Sequence, residues 1–420
     1  MKKDLAMEQY RSLPLPYRGV VAAAAILGVF YVIAIIHAFF VEGVPPGLAD
    51  KDFANYWTAG KLILAGETGD LFGPQPQYFR HLTAAFGEGY PWHNWSYPPH
   101  YLLALWPLGF FGYELAMLLW LVATGSLFLW ALRRFAGSGD AGIMLTLAAM
   151  PILAHNIWTA QNGFLSAGLA LGALALRAER PILAGILLGC LTFKPQLGLL
   201  FPFLLLAERR WTVIVSAAAT AAALVALSAL IFGLDAWRGY LSEVVPYQQL
   251  VMRELQGTFI WMLPSLYGSL RLWGFSADPA LTAHLFVAVP VLVSSVASFW
   301  LIRNGMWRSI ILLIATFLIT PYALTYDLGM MAAAAGMMIF LFQREGGAGL
   351  APTILLAATI SLPLVMMPLG AFGIPLAPAV LMMLYCLALA QAGIFARATP
   401  PIDGQEHPRL DPAPSSGDPR

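Results

Sequence analysis

The chain has 420 residues, 59% of them apolar and only 11% charged, with a formal net charge of +1. Soluble domains carry roughly 25% charged residues, so water is excluded as the main solvent, and without a clustered basic excess the chain offers no nucleic-acid surface. The two cysteines, Cys190 and Cys386, both lie inside apolar runs, which argues against a disulfide framework or a cysteine-zinc site.

A bilayer core takes about 20 apolar residues per spanning helix. Apolar runs bounded by charge or by Gly and Pro predict an all-α integral membrane protein with twelve spans, at 20–40, 114–132, 141–158, 164–176, 181–193, 197–207, 212–232, 281–301, 308–320, 328–342, 350–367 and 377–395. The first is followed by Phe39-Phe40-Val41-Glu42 rather than a small-x-small cleavage pattern, and reads as a retained span. Two large outer loops follow from this count, 41–113 and 233–280. In the first, Phe53, Trp57, Gly60 and Leu64 form an apolar stripe at helical spacing, which predicts a helix lying along the membrane surface from Asp52 onward. Tyr97-Pro98-Pro99 forces an extended entry to a second such helix at 101–111.

The runs 164–176, 181–193 and 197–207 are too short to cross about 30 Å at ~1.5 Å per residue. They flank two polar tips, Gln161-Asn162 and Lys194-Pro195-Gln196. Polar, non-helical backbone at membrane depth is tolerated only under protein or beside water, which predicts an outward-opening cavity there. An even number of spans places both termini on one side. With that side cytoplasmic, Arg18, Arg133, Arg134, Arg177, Arg180, Arg209, Arg210, Arg303, Arg308, Arg344 and Arg397 all fall inside, as the positive-inside rule asks. Residues 1–397 read as one membrane domain without an internal repeat, and 398–420, rich in Pro, Gly and charge, as a disordered cytoplasmic tail.

Three places hold polarity that apolar surroundings make costly. Asp52, at the start of the first surface helix, is placed to remove a proton from an attacking hydroxyl; as an N-cap residue type, it could equally cap that helix. Lys194 lies between apolar runs, where an ammonium costs about 2.5–3.5 kcal/mol at mid-bilayer. A lipid phosphate would offset that cost, and snorkelling to the headgroups is the plainer alternative. Tyr326-Asp327 sits at the outer end of a helix pair, where Asp327 could orient a substrate, pair with a base or cap the next helix. His100, His155 and Gln161 fall at the same outer level, a lone His in an apolar span being more often structural than catalytic. Arg253 and Arg271 in the second loop could hold a phosphate or anchor their helices. Trp57, Trp92, Trp95 and Tyr97 could stack on sugar rings or form an interfacial aromatic belt.

Five segments in order carry a family resemblance: Asp52-Phe53-Ala54-Asn55-Tyr56-Trp57-Thr58-Ala59-Gly60, Trp95-Ser96-Tyr97-Pro98-Pro99, Ala160-Gln161-Asn162-Gly163, Phe193-Lys194-Pro195-Gln196, and Thr320-Pro321-Tyr322 with Tyr326-Asp327. Together they resemble glycosyltransferase family 87, which includes polyprenol-phosphate-mannose-dependent mannosyltransferases of bacterial envelopes. The resemblance implies a GT-C-type bundle with juxtamembrane helices in the first outer loop. It implies inverting transfer of a mannose-like hexose from a polyprenyl-phosphate donor to a lipid or glycan acceptor, on the extracytoplasmic face of the bacterial inner membrane. Asp52 takes the role of base and Lys194 that of donor-phosphate contact, with Arg271 as a further phosphate candidate. Tyr56, Tyr97, His100, Gln161, Gln196, Tyr326 and Asp327 are the substrate-binding candidates. Some relatives use a His near the late Pro motif to assist the base; the stretch 322–330 has none, so Asp327 or Tyr326 stands as its substitute. No cofactor or metal is implied, and no Gly-rich phosphate loop is present. A transporter or flippase is the competing reading, because broken helices around a polar site also serve substrate passage. A noncatalytic scaffold is a third.

Overall fold

The computed structural model describes residues 52–398, except 89, 91, 92, 138 and 348, together with isolated helical positions between 22 and 33. The predicted first span is thus described only at those positions, while Trp92, the chain termini and the tail beyond 398 lie outside the described residues. Among the described residues every regular element is a helix. Both cysteines are free.

Five helices are long and apolar enough to cross a membrane: Tyr113–Ala136, Trp211–Phe232, Ala277–Leu301, Thr325–Arg344 and Leu350–Ala371. Gly139–Ala148 and Met150–Thr159 make a sixth if the pair, bent by 52°, counts as one span. Pro151 stands in the first turn after the break, where the backbone hydrogen bond it lacks and the crowding of its ring against the preceding turn favour the bend. Four other predicted spans are shorter apolar helices, Gly163–Leu176, Pro181–Phe193, Pro195–Ala207 and Gly305–Ile319, while the last predicted span falls on the helix Ala377–Ala398. Twelve full crossings are therefore not what the described helices provide: the apolar runs are where they were expected, but several are too short to span alone.

Burial separates centre from periphery. Gly163–Leu176, Gly305–Ile319 and Thr325–Arg344 are enclosed on nearly all sides. Trp211–Phe232 is apolar yet exposed or half-exposed at nearly every position, with Leu230 and Val215 the most open of its large apolar side chains, as a helix facing lipid should be. At the ends of the short helices Glu208 gathers Arg177 at 2.8 Å and Arg210 and Arg308 at 3.8 Å each, so three arginines predicted to share one membrane face do meet at one point.

The segment expected to form the first outer loop folds, from residue 52 on, into a helical cap. Phe53–Ala65 ends at Gly66, whose φ of 75° is the left-handed C-terminal conformation glycine adopts freely. It crosses the segment 99–110 at Gly60 and Gly109, whose backbones touch so closely that a side chain on either would strike the other. The predicted stripe is only half right: Phe53 and Gly60 are buried and Trp57 half-buried, but Leu64 is exposed. Tyr56, Ala59 and Leu62 replace it on the buried side, because Phe53–Ala65 packs under the 99–110 segment as well as against Tyr113–Ala136. The second expected surface helix is instead three short turns, Pro99–Tyr101, Leu102–Leu105 and Trp106–Phe110, broken around Pro107.

Candidate active site

The two polar tips and the outer loops converge. Ala160 takes the left-handed conformation (φ 49°), which ends the helix Met150–Thr159 and turns Gln161 and Asn162 inward. Gly163 follows because its Cα abuts the Tyr326 carbonyl oxygen; a Cβ there has no room. Lys194 leaves the helical conformation (φ −130°, ψ 72°) because the following Pro195 disfavours it in the residue before. The consequence is that Gln161 and Lys194 are both held against the Thr325–Leu328 turn.

Asp52 occupies the N-cap position of Phe53–Ala65 but makes no capping bond. Its carboxylate points the other way. Oδ2 accepts from Gln161 Nε2, and Oδ1 lies 3.3 Å from His93 Nε2. Gln161 Oε1 in turn accepts from the Tyr56 hydroxyl and from the Asn162 backbone N–H at 3.2 Å, which fixes the amide so that its N–H₂ must face Asp52. Tyr56 and Tyr97 hydroxyls are 3.0 Å apart. Burial raises the Asp52 carboxyl above its ordinary value, opposed by the charges of His93 and Lys194.

Lys194 is 5% exposed, so it does not snorkel to the headgroups. Its Nζ donates to Asp327 Oδ1 at 2.7 Å and stands 4.6 Å above the Tyr326 ring. Asp327 Oδ1 also accepts from Ser166 Oγ at 3.1 Å, and Oδ2 from the Leu324 backbone N–H at 3.4 Å. Asp327 is therefore both the partner of the buried ammonium and the clip of its own turn.

Two adjoining cavities meet these groups. One of about 330 Å³ is lined by Lys194, Gln196, Tyr240, Gln248, Thr320 and Asp327, among others. The second, about 270 Å³, is lined by Asp52, Asn55, Tyr56, His93, Asn94 and Gln161, among others. Ser96, Tyr97, Tyr322, Leu324 and Tyr326 line both and form their common wall. A carboxylate and an ammonium thus line adjoining cavities that meet at these residues. Such a pair can accept a proton and hold an anion close to one another.

Of the residues singled out in the sequence, Asp52, Tyr56, Tyr97, Gln161, Lys194, Gln196, Tyr326 and Asp327 line one cavity or both. The structure does not bring Arg271 or His100 to either. Arg271 is buried in Leu266–Leu272 and donates to the carbonyls of Phe275 (2.9 Å) and Arg253 (2.6 Å), which anchors the second outer loop. His100 stacks on Trp237 at 5.8 Å and lies 3.3 Å from Thr192 Oγ1, so it braces the tip that carries Lys194. Burial lowers it to about 4, leaving it neutral. His155 bonds Thr325 Oγ1 at 3.0 Å, and Arg253 pairs with exposed Asp278 at 2.8 Å. Sequence reasoning missed His93, Asn94 and Gln248. Asn94 donates to Gln248 Oε1 at 2.9 Å and ties the two outer loops together across the cavities. His93 and Asn94 stand immediately before the Trp95 motif, the one signal that could have drawn attention to them.

The family model described as Glycosyltransferase family 87 matches residues 95–324, more than half of the chain. The match includes Tyr97, Gln161 and Lys194, begins after Asp52 and ends before Tyr326 and Asp327. No curated protein and no solved structure matches the chain.

Proposed function

Because the chain belongs to glycosyltransferase family 87, we propose that it transfers a mannose-like hexose from a polyprenyl-phosphate donor to a hydroxyl of an envelope lipid or glycan, with inversion at the anomeric carbon. The observation that carries this reading is the shared lining: the cavities of Asp52 and Lys194 adjoin at Ser96, Tyr97, Tyr322, Leu324 and Tyr326, which line both, so that carboxylate and ammonium can serve one bound donor and acceptor. In the proposed step the acceptor hydroxyl gives its proton to the Asp52 carboxylate as its oxygen bonds the anomeric carbon. The bond from that carbon to the phosphate oxygen breaks, and polyprenyl phosphate departs with the electron pair. Charge growing on the leaving phosphate is met by the Lys194 ammonium in a water-poor cavity, where such a contact is worth more than in water. Lys194 has three donors, of which Asp327 engages one.

The lipid-linked donor, the placement in a bacterial inner membrane with both termini cytoplasmic, and the outward-facing site follow from the resemblance of the five motifs and from the distribution of Arg along the chain. The test uses the full chain in lipid vesicles, with polyprenyl-phosphate mannose and an envelope lipid extract. A transferase releases free polyprenyl phosphate and a mannosylated lipid of inverted configuration. Movement of intact donor across the vesicle without release would establish the transporter reading instead.

A further inference from the structure

Asp52 is held from two sides, and only one of them belongs to the motifs seen in the sequence. Gln161 donates to Oδ2 from its tip; the other oxygen, Oδ1, faces His93 Nε2 at 3.3 Å. The far nitrogen of the same ring, Nδ1, is 2.9 Å from the Tyr90 hydroxyl. Ring centroids of Tyr90 and His93 are 5.4 Å apart at 85°, and Tyr90 is itself packed on Phe86, which stacks against Tyr113 and Trp57. A chain of contacts therefore runs from the aromatic floor of the first outer loop through Tyr90 and His93 to the carboxylate. His93 is partly buried, with 22% of its side chain exposed, and lines the Asp52 cavity.

The geometry points to His93 as a positioning residue for Asp52, an imidazole whose Nε2 stands at ion-pair distance from Oδ1 and braces the carboxylate toward the acceptor hydroxyl, with Tyr90 setting the ring for it. This deepens the transferase reading and rests on it. The argument is one of proton inventory. An ionised carboxylate only accepts, so the nitrogen facing Oδ1 must carry the hydrogen. With Nε2 protonated, a neutral ring leaves Nδ1 bare, and its neighbour, the Tyr90 hydroxyl, is a donor able to fill it. If the ring is cationic both nitrogens carry hydrogen and Tyr90 accepts; Nε2–H still faces Asp52. The arm therefore works in either charge state and needs no proton exchange between His93 and Asp52.

Gln161 bonded to one oxygen and the imidazole Nε2 set beside the other restrict rotation of the carboxylate about Cβ–Cγ. Each oxygen retains a lone pair for the acceptor. Losing one arm should leave the base present but badly aimed, and misplacement by about 1 Å costs on the order of 10²-fold in rate. Because Lys194, not His93, is the proposed contact of the donor phosphate, donor binding should not change.

The test compares His93→Ala, His93→Gln, His93→Asn and Tyr90→Phe in the vesicle assay, reading kcat and donor KM separately. A Gln amide nitrogen reaches the position of imidazole Nε2, whereas an Asn amide reaches only that of Nδ1. The expected result is a kcat about 10²-fold lower for Ala and Asn, recovery to within about threefold for Gln, a smaller loss for Tyr90→Phe, and an unchanged donor KM that certifies folding of every variant. Gln as inactive as Ala would overturn the arm in favour of a ring that must itself exchange protons. Asn as active as Gln would overturn it as a matter of space filling. Full activity in His93→Ala while Asp52→Asn is inactive would refute the role of His93 and leave the transferase reading standing; full activity in Asp52→Asn would bring down both.

Discussion

Replacing Asp52 by Asn separates catalysis from folding because the two respond in opposite directions. The substitution keeps the shape of the side chain and an oxygen able to accept from Gln161, but it cannot take a proton. General-base catalysis is typically worth ~10²–10⁴-fold, or about 3–5.5 kcal/mol at ~1.36 kcal/mol per tenfold, and kcat should fall by that much with donor KM unchanged. Stability should not fall with it. Burial raises the Asp52 carboxyl above the usual carboxylate range. A raised carboxyl contributes stability only below its unfolded value, near ~3.9, and loses it as pH rises through the folded value. At neutral pH the carboxylate is thus a small liability, tempered because 28% of the side chain remains exposed to solvent. Asp52→Asn is therefore expected to melt at the same temperature as the parent or slightly higher at pH 7, the gap closing on acidification below ~4. The parent's activity should fail on its acid side above the ordinary carboxylate range. Polyprenyl phosphate release measures the first quantity and thermal unfolding in detergent the second. An unchanged kcat, or a loss of kcat matched by a lower melting temperature, would refute the reasoning.

Lys194→Ala should behave differently, because it leaves the Asp327 carboxylate, only 1% exposed, without its cation. Removing one partner of a buried pair costs about 3–5 kcal/mol, whereas replacing both with apolar groups is often neutral. Lys194→Met combined with Asp327→Asn, whose amide oxygen can still accept from the Leu324 backbone N–H, should regain most of the melting temperature without regaining donor use; normal donor KM in the double variant would exclude Lys194 as the phosphate contact. His100 offers a pH test of its structural role. Its folded value near 4 lies below the unfolded ~6.5, so its contribution is complete above ~6.5 and is lost as pH falls toward 4. The melting temperature of the parent should drop more steeply over that interval than that of His100→Gln, and parallel curves would show that His100 does not stay neutral against Thr192 and Trp237.

The sequence alone determined the solvent, the helical class and the chemistry-bearing tips. Apolar runs mark helices because lipid leaves no other partner for backbone N–H and C=O groups, and short runs around Gln161-Asn162 and Lys194-Pro195-Gln196 mark a cavity for the same reason. Proline effects showed through only in part: the polar tip at Lys194-Pro195-Gln196 was marked and Lys194 does leave the helix there, but the run 141–158, read as one span, is bent next to Pro151. Whether a helix crosses or stops short was less legible, since hydropathy records composition while crossing depends on the packed neighbours at each end. Partner choice was legible least. The sequence could not say which way Asp52 and Asp327 point: the Asp52 carboxylate makes no capping bond and meets Gln161 and His93, and Asp327 pairs with Lys194 at 2.7 Å. His100 and Arg271, at the right level by counting residues, face Trp237 and backbone carbonyls instead. Level along the membrane normal follows from how many residues a helix has; direction around its axis follows from what packs against it. That second coordinate belongs to the tertiary structure, and it is the one that gathers Asp52, His93, Gln161 and Lys194 about a single tyrosine wall.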